Sequence, residues 1–130
     1  MARTETQSAE TDAPAADVLA VLTNAARIPQ WAPAFADEVS GDSRSGWLVT
    51  KDGQAFTFRV AAVPAAGTVD FLREVAPGRE GGAYLRVIPR PGGGSVIIMT
   101  LPVPPGAGPA ATAAVLAGEL AALAALAASS

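Results

Sequence analysis

Few residues in this chain can do chemistry. Its 130 residues include neither histidine nor cysteine. That excludes Ser-His-Asp and Cys-His catalysis, thiol nucleophiles and Cys/His zinc sites. Carboxylates, arginines and a single tyrosine remain. Glu119 is the first candidate, being the only charged residue between Gly108 and the C-terminus. On a helix of 100° per residue with Leu116 at zero, Leu120 falls at about 40°, Leu123 at about 340° and Glu119 at about 300°. The carboxylate therefore lies inside the apolar arc that Leu126 and Val115 extend. A carboxylate facing a core loses hydration, so it takes a raised pKa or finds a cation. Such a group would hold a ligand hydroxyl or carbonyl, or serve as a general acid/base. The alternative is that Glu119 sits at the edge of the stripe and reaches water.

Arginines would supply the cation. In "TVDFLREV" strand alternation groups Val69, Phe71 and Val75 on one face, and Arg73 shares their parity, while Asp70 and Glu74 point to water. Arg73 either enters the interior or lies at the sheet's end with its stem packed and its head solvated. "AYLRVIP" leaves parity open: Leu85 and Val87 face in, or Tyr84, Arg86 and Ile88 do. The second arrangement would add the only tyrosine and another arginine to the interior. Arg73 is the first expected partner of Glu119, and Arg86 the second. Glu119, Arg73, Tyr84 and Arg86 are thus the catalytic candidates.

The apolar lining follows from the same alternation. Phe56, Phe58 and Val60 face in and Arg59 faces out; Trp47 and Val49 face in. Both faces of "SVIIMTL" are apolar, so Met99 lines a pocket or covers the convex side. The expected ligand-binding set is Trp31, Phe35, Trp47, Phe56, Phe58, Phe71, Arg73, Met99, Leu116, Glu119, Leu120 and Leu123. Phe56, Phe58, Phe71 and Leu120 should line one shared apolar space.

These side chains need a frame. A polar segment near Arg3–Glu10 reads as an edge strand. "DAPAADVLAVLTN" then reads as a helix, with Pro14 in its first turn and Val18, Val21 and Leu22 at helical spacing. Asn24 can cap a short turn over Ala25–Arg27. Pro29 disfavours helical geometry at Ile28, and Pro33 ends any remaining helix. In "RIPQWAPAF" the prolines impose a stiff turn, and Trp31 either bolts the junction or lines a cavity mouth. From Phe35 onward, strands of five to nine residues alternate with short turns, Asp52-Gly53 being a strong hairpin signal. The Gly92–Gly94 run joins two strands, so it reads as a hairpin rather than a phosphate loop. A long helix, Pro109–Ala128, closes the chain.

Composition narrows the function classes. Half the residues are apolar, and the net charge is −3 from 9 basic and 12 acidic residues, with no basic stretch to hold nucleic acid. The polar N-terminus has no signal-peptide core, and a cytoplasmic location is expected. The closing helix is long enough to span a bilayer, but it carries Glu119 mid-way and no flanking Lys or Arg, so a packed helix without membrane insertion is expected. No motif implies a metal or cofactor. Its alanine-rich face, Ala114, Ala117, Gly118, Ala121 and Ala125, offers a smooth surface to a second protomer, as in a homodimer. High helix propensity alone would also explain it.

Three features occur in one order: the helix "APAADVLAVLTN", the turn "RIPQWAP", and the glycine-rich hairpin "VIPRPGGGSVII" before the closing helix. Together they resemble the START-like superfamily, which includes Bet v 1-like (SRPBCC) proteins, polyketide cyclases/dehydratases and lipid-transport proteins. The resemblance covers nearly the whole chain. It implies a single α+β domain over 1–130 with the helix-grip fold: a curved antiparallel sheet of six to seven strands around a long C-terminal helix. Two short helices follow the first strand. It also implies a cavity between sheet and helix for a small hydrophobic molecule, polyketide-, lipid- or terpenoid-like. Aromatase/cyclases of the superfamily use cavity arginines, tyrosines and hydroxyls. An alternative function is therefore a cyclase, dehydratase or isomerase working by acid/base and positional catalysis. The residues alone leave open whether the chain is an enzyme.

Overall fold

The computed structural model describes residues 3–104 and 106–129; Met1, Ala2, Pro105 and Ser130, within the expected 1–130 domain, lie outside the described residues. β1 (Thr4–Thr11) opens the chain and pairs antiparallel with the last strand, as an edge strand should. Next come α1 (Ala15–Thr23), a 3-10 turn (Ala25–Arg27) and α2 (Ile28–Trp31). Six strands follow: β2 (Glu38–Asp42), β3 (Gly46–Lys51), β4 (Gln54–Val63), β5 (Thr68–Ala76), β6 (Arg79–Pro89) and β7 (Ser95–Pro102). α3 (Pro109–Ala128) ends the fold. The sheet runs β1-β7-β6-β5-β4-β3-β2, so every pair from β2 to β7 is joined by a local connection. This is the seven-stranded helix-grip arrangement expected from the sequence.

Turn chemistry explains the meander. Asp52 and Gly53 both take positive φ (51° and 77°), the primed hairpin geometry that matches strand twist. The helical segment departs from expectation at Pro29. Ile28 is helical (φ −52°, ψ −42°), and Pro29 sits in the first turn of α2. A first-turn N–H has no intrahelical partner, so its loss there costs nothing. The second proline behaves as expected: α2 stops at Trp31, before Pro33.

Side-chain alternation sorts the sheet into an inner and an outer face. Val49, Phe58, Val69, Phe71, Leu85, Val87, Ile97 and Met99 are buried on the inner face. Leu116, Leu120 and Leu123 of α3 lie buried in the same core, and α3 packs against β1, β7, α1 and α2. α3 is long and apolar enough to cross a membrane by length and composition. Its leucine face is instead the lid of this core. Polar ties lock the frame. Thr11 Oγ1 donates to the Ala124 carbonyl (3.3 Å), joining β1 to α3. Ser95 Oγ donates to the Ala13 carbonyl (2.8 Å), joining β7 to the start of α1.

One stretch of alternation fails. Val75, expected inward with Val69 and Phe71, is exposed. The β5–β6 register shifts between Glu74 and Ala76, and such a bulge reverses the side-chain phase beyond it.

Candidate functional site

A chain of aromatic rings crosses the inner face of the sheet. Trp31 packs on Phe71 (centroids 5.9 Å apart), Phe71 on Phe58 (6.2 Å), Phe58 on Phe35 (6.0 Å) and Phe35 on Phe56 (5.6 Å). Trp31, Phe58 and Phe71 are 3%, 5% and 6% exposed, whereas Phe35 and Phe56 are half-buried. The series thus runs from the core to a rim. At the rim the Arg73 guanidinium lies over the Phe56 ring, 4.6 Å from its centroid.

Local structure explains each placement. Trp31 ends α2, and the turn after it is pinned from the β3–β4 hairpin. Lys51 Nζ donates to the Pro33 carbonyl (2.9 Å) and to Asp37 (3.2 Å). The backbone N–H of Asp52 also donates to Asp37. That backbone bond and the Lys51 ammonium hold the Asp37 carboxyl below the usual carboxylate range. Phe56 and Phe58 are two residues apart on β4 and share a face. Gly82 lies where a Cβ would strike the backbone carbonyl of Phe71, so β6 approaches β5 beside this ring only without a side chain.

Beside the rings lies a groove of about 240 Å³, lined by Thr23, Ser43, Gly46, Trp47, Arg59, Val60 and Ala62. Register ties it to the ring chain: Trp47 pairs with Phe58, Val60 with Phe71, and Ala62 with Val69. The groove floor is therefore the same sheet face that carries the aromatic cluster. Val60 was legible through its parity with Phe58. Thr23, Ser43 and Gly46 were not, because only tertiary folding brings the end of α1 to the β2–β3 hairpin.

The expected site residues divide. Trp31, Phe35, Phe56, Phe58, Phe71 and Arg73 come together in one cluster. Trp47 is half-buried at the groove. Met99, Leu116, Leu120 and Leu123 belong to the packed core under α3, which settles Met99 as inward. Tyr84 and Arg86 require correction. Leu85 and Val87 take the inner positions of β6, so Tyr84 and Arg86 lie exposed on the outer face. Neither reaches the interior.

Glu119 lies at the edge of the buried helical stripe, half-buried beside Leu120, which is the alternative placement. Burial pushes its carboxyl up to about 7 from its ordinary value of 4.5. The expected ion pair with Arg73 or Arg86 does not form among the described residues. Arg86 faces the other side of the sheet, and Arg73 is exposed over Phe56. The Glu119 carboxyl therefore meets burial by holding its proton rather than by pairing.

A sign follows for stability. The folded protein holds the Glu119 proton more tightly than the unfolded chain does. The stabilisation is complete below the unfolded pKa near 4.5 and is lost as pH rises through about 7. With solvent screening at a partly exposed site, the fall amounts to about 1–2 kcal/mol. Glu119→Gln should remove it, leaving the variant more stable than wild type above neutral pH. Urea denaturation at a series of pH values checks this. Parallel pH profiles for the two proteins would remove Glu119 as the cause.

Solved structures give the same fold. The aromatase/cyclase Zhui from Streptomyces sp. R1128 superposes with a TM-score of 0.68 at 18% identity, covering 98% of this chain and 94% of that one. A START superfamily protein from Mycobacterium smegmatis gives 0.64 at 16% identity, covering 97% and 94%. Ara h 8.0201 gives 0.63 at 14% identity, with both chains fully covered. A comparison with curated proteins gives no match. Over residues 2–129 the sequence matches the family described as polyketide cyclase / dehydrase and lipid transport, and the chain belongs to that family.

Proposed function

We propose that the protein binds a small hydrophobic molecule, polyketide-, lipid- or terpenoid-like, between the inner sheet face and α3. The carrying observation is the continuous ring series from the exposed Arg73–Phe56 rim to buried Trp31, with the groove floor beside it. Rings at a rim offer apolar contact to an entering ligand, and a few polar groups orient it. The groove, about 240 Å³, is walled by the end of α1, the β2–β3 hairpin and β4 and by no residue of α3 or of the ring series, so it extends the inner sheet face rather than the helix side.

The runner-up is a cyclase, dehydratase or isomerase. One observation favours it: a half-buried carboxyl titrating at about 7, suited to exchanging protons at neutral pH. The reading is the weaker one because Tyr84 and Arg86 lie on the outer face and the chain has no histidine. Only Glu119 and Arg73 remain of the expected catalytic set.

Native mass spectrometry of the protein mixed with a substituted naphthalene, a medium-chain fatty acid and a monoterpenoid tests the proposal. At least one should form a saturable one-to-one complex. The absence of any complex at millimolar ligand would contradict binding. Chemical conversion of the bound compound, lost in Glu119→Gln, would favour the enzyme.

A further inference from the structure

Trp31 carries a polar atom that the fold does not satisfy. Its indole Nε1 is buried and has no hydrogen-bond partner among the described residues. The ring is 3% exposed, and the groups stacked along it are carbon: Phe71, then Phe58 behind it. An indole N–H is a donor only, and a buried donor without an acceptor costs free energy. Folded proteins avoid this wherever backbone or side chains can reach. Three kinds of acceptor can complete the bond: a protein oxygen, a water, or an oxygen brought by a ligand. The described residues offer no protein oxygen. A buried water needs two to four polar partners, and the rings stacked along Trp31 supply none. A ligand oxygen needs only one, because its carbon skeleton takes up the apolar contacts around it.

We infer that Trp31 Nε1–H is the orienting donor of the binding site, and that the ligand is an oxygenated hydrophobe whose carbonyl or hydroxyl oxygen accepts from it. This rests on the proposed binding of a hydrophobic molecule and narrows it to a class. A pure hydrocarbon would fill the same space and leave the N–H unpaired. An oxygen placed against the ring fixes which end of the ligand enters first and leaves the other end toward the Arg73 rim. Trp31 thus acts both as a packing element and as a selector of ligand chemistry.

The test uses a matched pair, 2-acetylnaphthalene and 2-ethylnaphthalene, which differ in the carbonyl oxygen. The wild-type protein should bind the ketone about tenfold more tightly, the ratio one hydrogen bond supplies. In Trp31→Phe, which keeps a ring and removes the donor, the ratio should fall to about one. The readout is the ratio, so a general change in affinity from the smaller ring does not affect it. The indole N–H resonances of wild type provide a second measurement independent of the variant's folding. The chain has two tryptophans, so the Trp31 signal is assigned with Trp47→Phe. The ketone should move it downfield, and the hydrocarbon should not. Equal binding of the two compounds by wild type, a ratio kept in Trp31→Phe, or an indole signal unmoved at ketone saturation would each overturn the inference while leaving hydrophobic binding intact. If both naphthalenes fail to bind but the fatty acid binds, equal fatty-acid affinity in wild type and Trp31→Phe overturns it likewise. Failure of every compound removes the binding proposal itself.

Discussion

Trp31→Ala is expected to destabilise the fold by about 3–5 kcal/mol, the range for deleting a buried aromatic side chain. The site has little means of collapsing. α2 is a single short helix, Ile28–Trp31, held between α3 and a turn that Lys51 clamps at Pro33 and Asp37. Removing the indole leaves Phe71 without its ring partner at 5.9 Å and opens a void at the end of the core. Trp31→Phe should cost far less, because it keeps a ring and removes the unpaired N–H. Equilibrium denaturation in urea measures both. A change of under about 1 kcal/mol in Trp31→Ala, with ligand affinity lost, would place the ring at the mouth of the site rather than in the core.

A second large effect is expected at Leu120. Its side chain is fully buried at the centre of the α3 face that covers the sheet. Truncating such a leucine costs about 2–5 kcal/mol. Leu120→Asp adds a carboxylate in an apolar core, next to Glu119, whose carboxyl burial already pushes up to about 7. The combined penalty should exceed about 5 kcal/mol, comparable with the whole stability of a small domain. Circular dichroism and urea melts should show a protein largely unfolded at neutral pH. A cooperative native melt for Leu120→Asp would show that α3 does not grip the sheet through this face.

Most of the frame was legible because it depends on local chemistry. Asp52-Gly53, Pro33 after Trp31 and the two-residue period of β4 act over a few residues, and the structure follows them; Pro29 does not stop the helix. The aromatic cluster was legible for the same reason: Phe56, Phe58 and Phe71 share parity on strands that pair. Arg73 was placed on the correct face, but its end position needed the full sheet. Besides the groove residues from α1 and the β2–β3 hairpin, other features were not legible. Parity in "AYLRVIP" is ambiguous, since either set includes apolar residues, and pairing of Leu85 with Val69 and Met99 and of Val87 with Ile97 decides for the inner face. Val75 was misplaced because a bulge leaves no fixed signal in the sequence. For Glu119 the sequence offered a raised pKa or a cation without choosing, because helical phase gives its direction and not the distance to an arginine.

Methyl and aromatic NMR of the full chain, saturated with the tightest binder among the naphthalene, the fatty acid and the monoterpenoid, tests the central claim most directly. Signals of Phe58, Phe71 and Leu120, on the inner face and α3, should shift together. Signals of Ile88 and Tyr84, on the outer face of β6, should stay in place. Shifts confined to Ile88 and Tyr84, with Phe58, Phe71 and Leu120 unmoved, would contradict binding between sheet and helix.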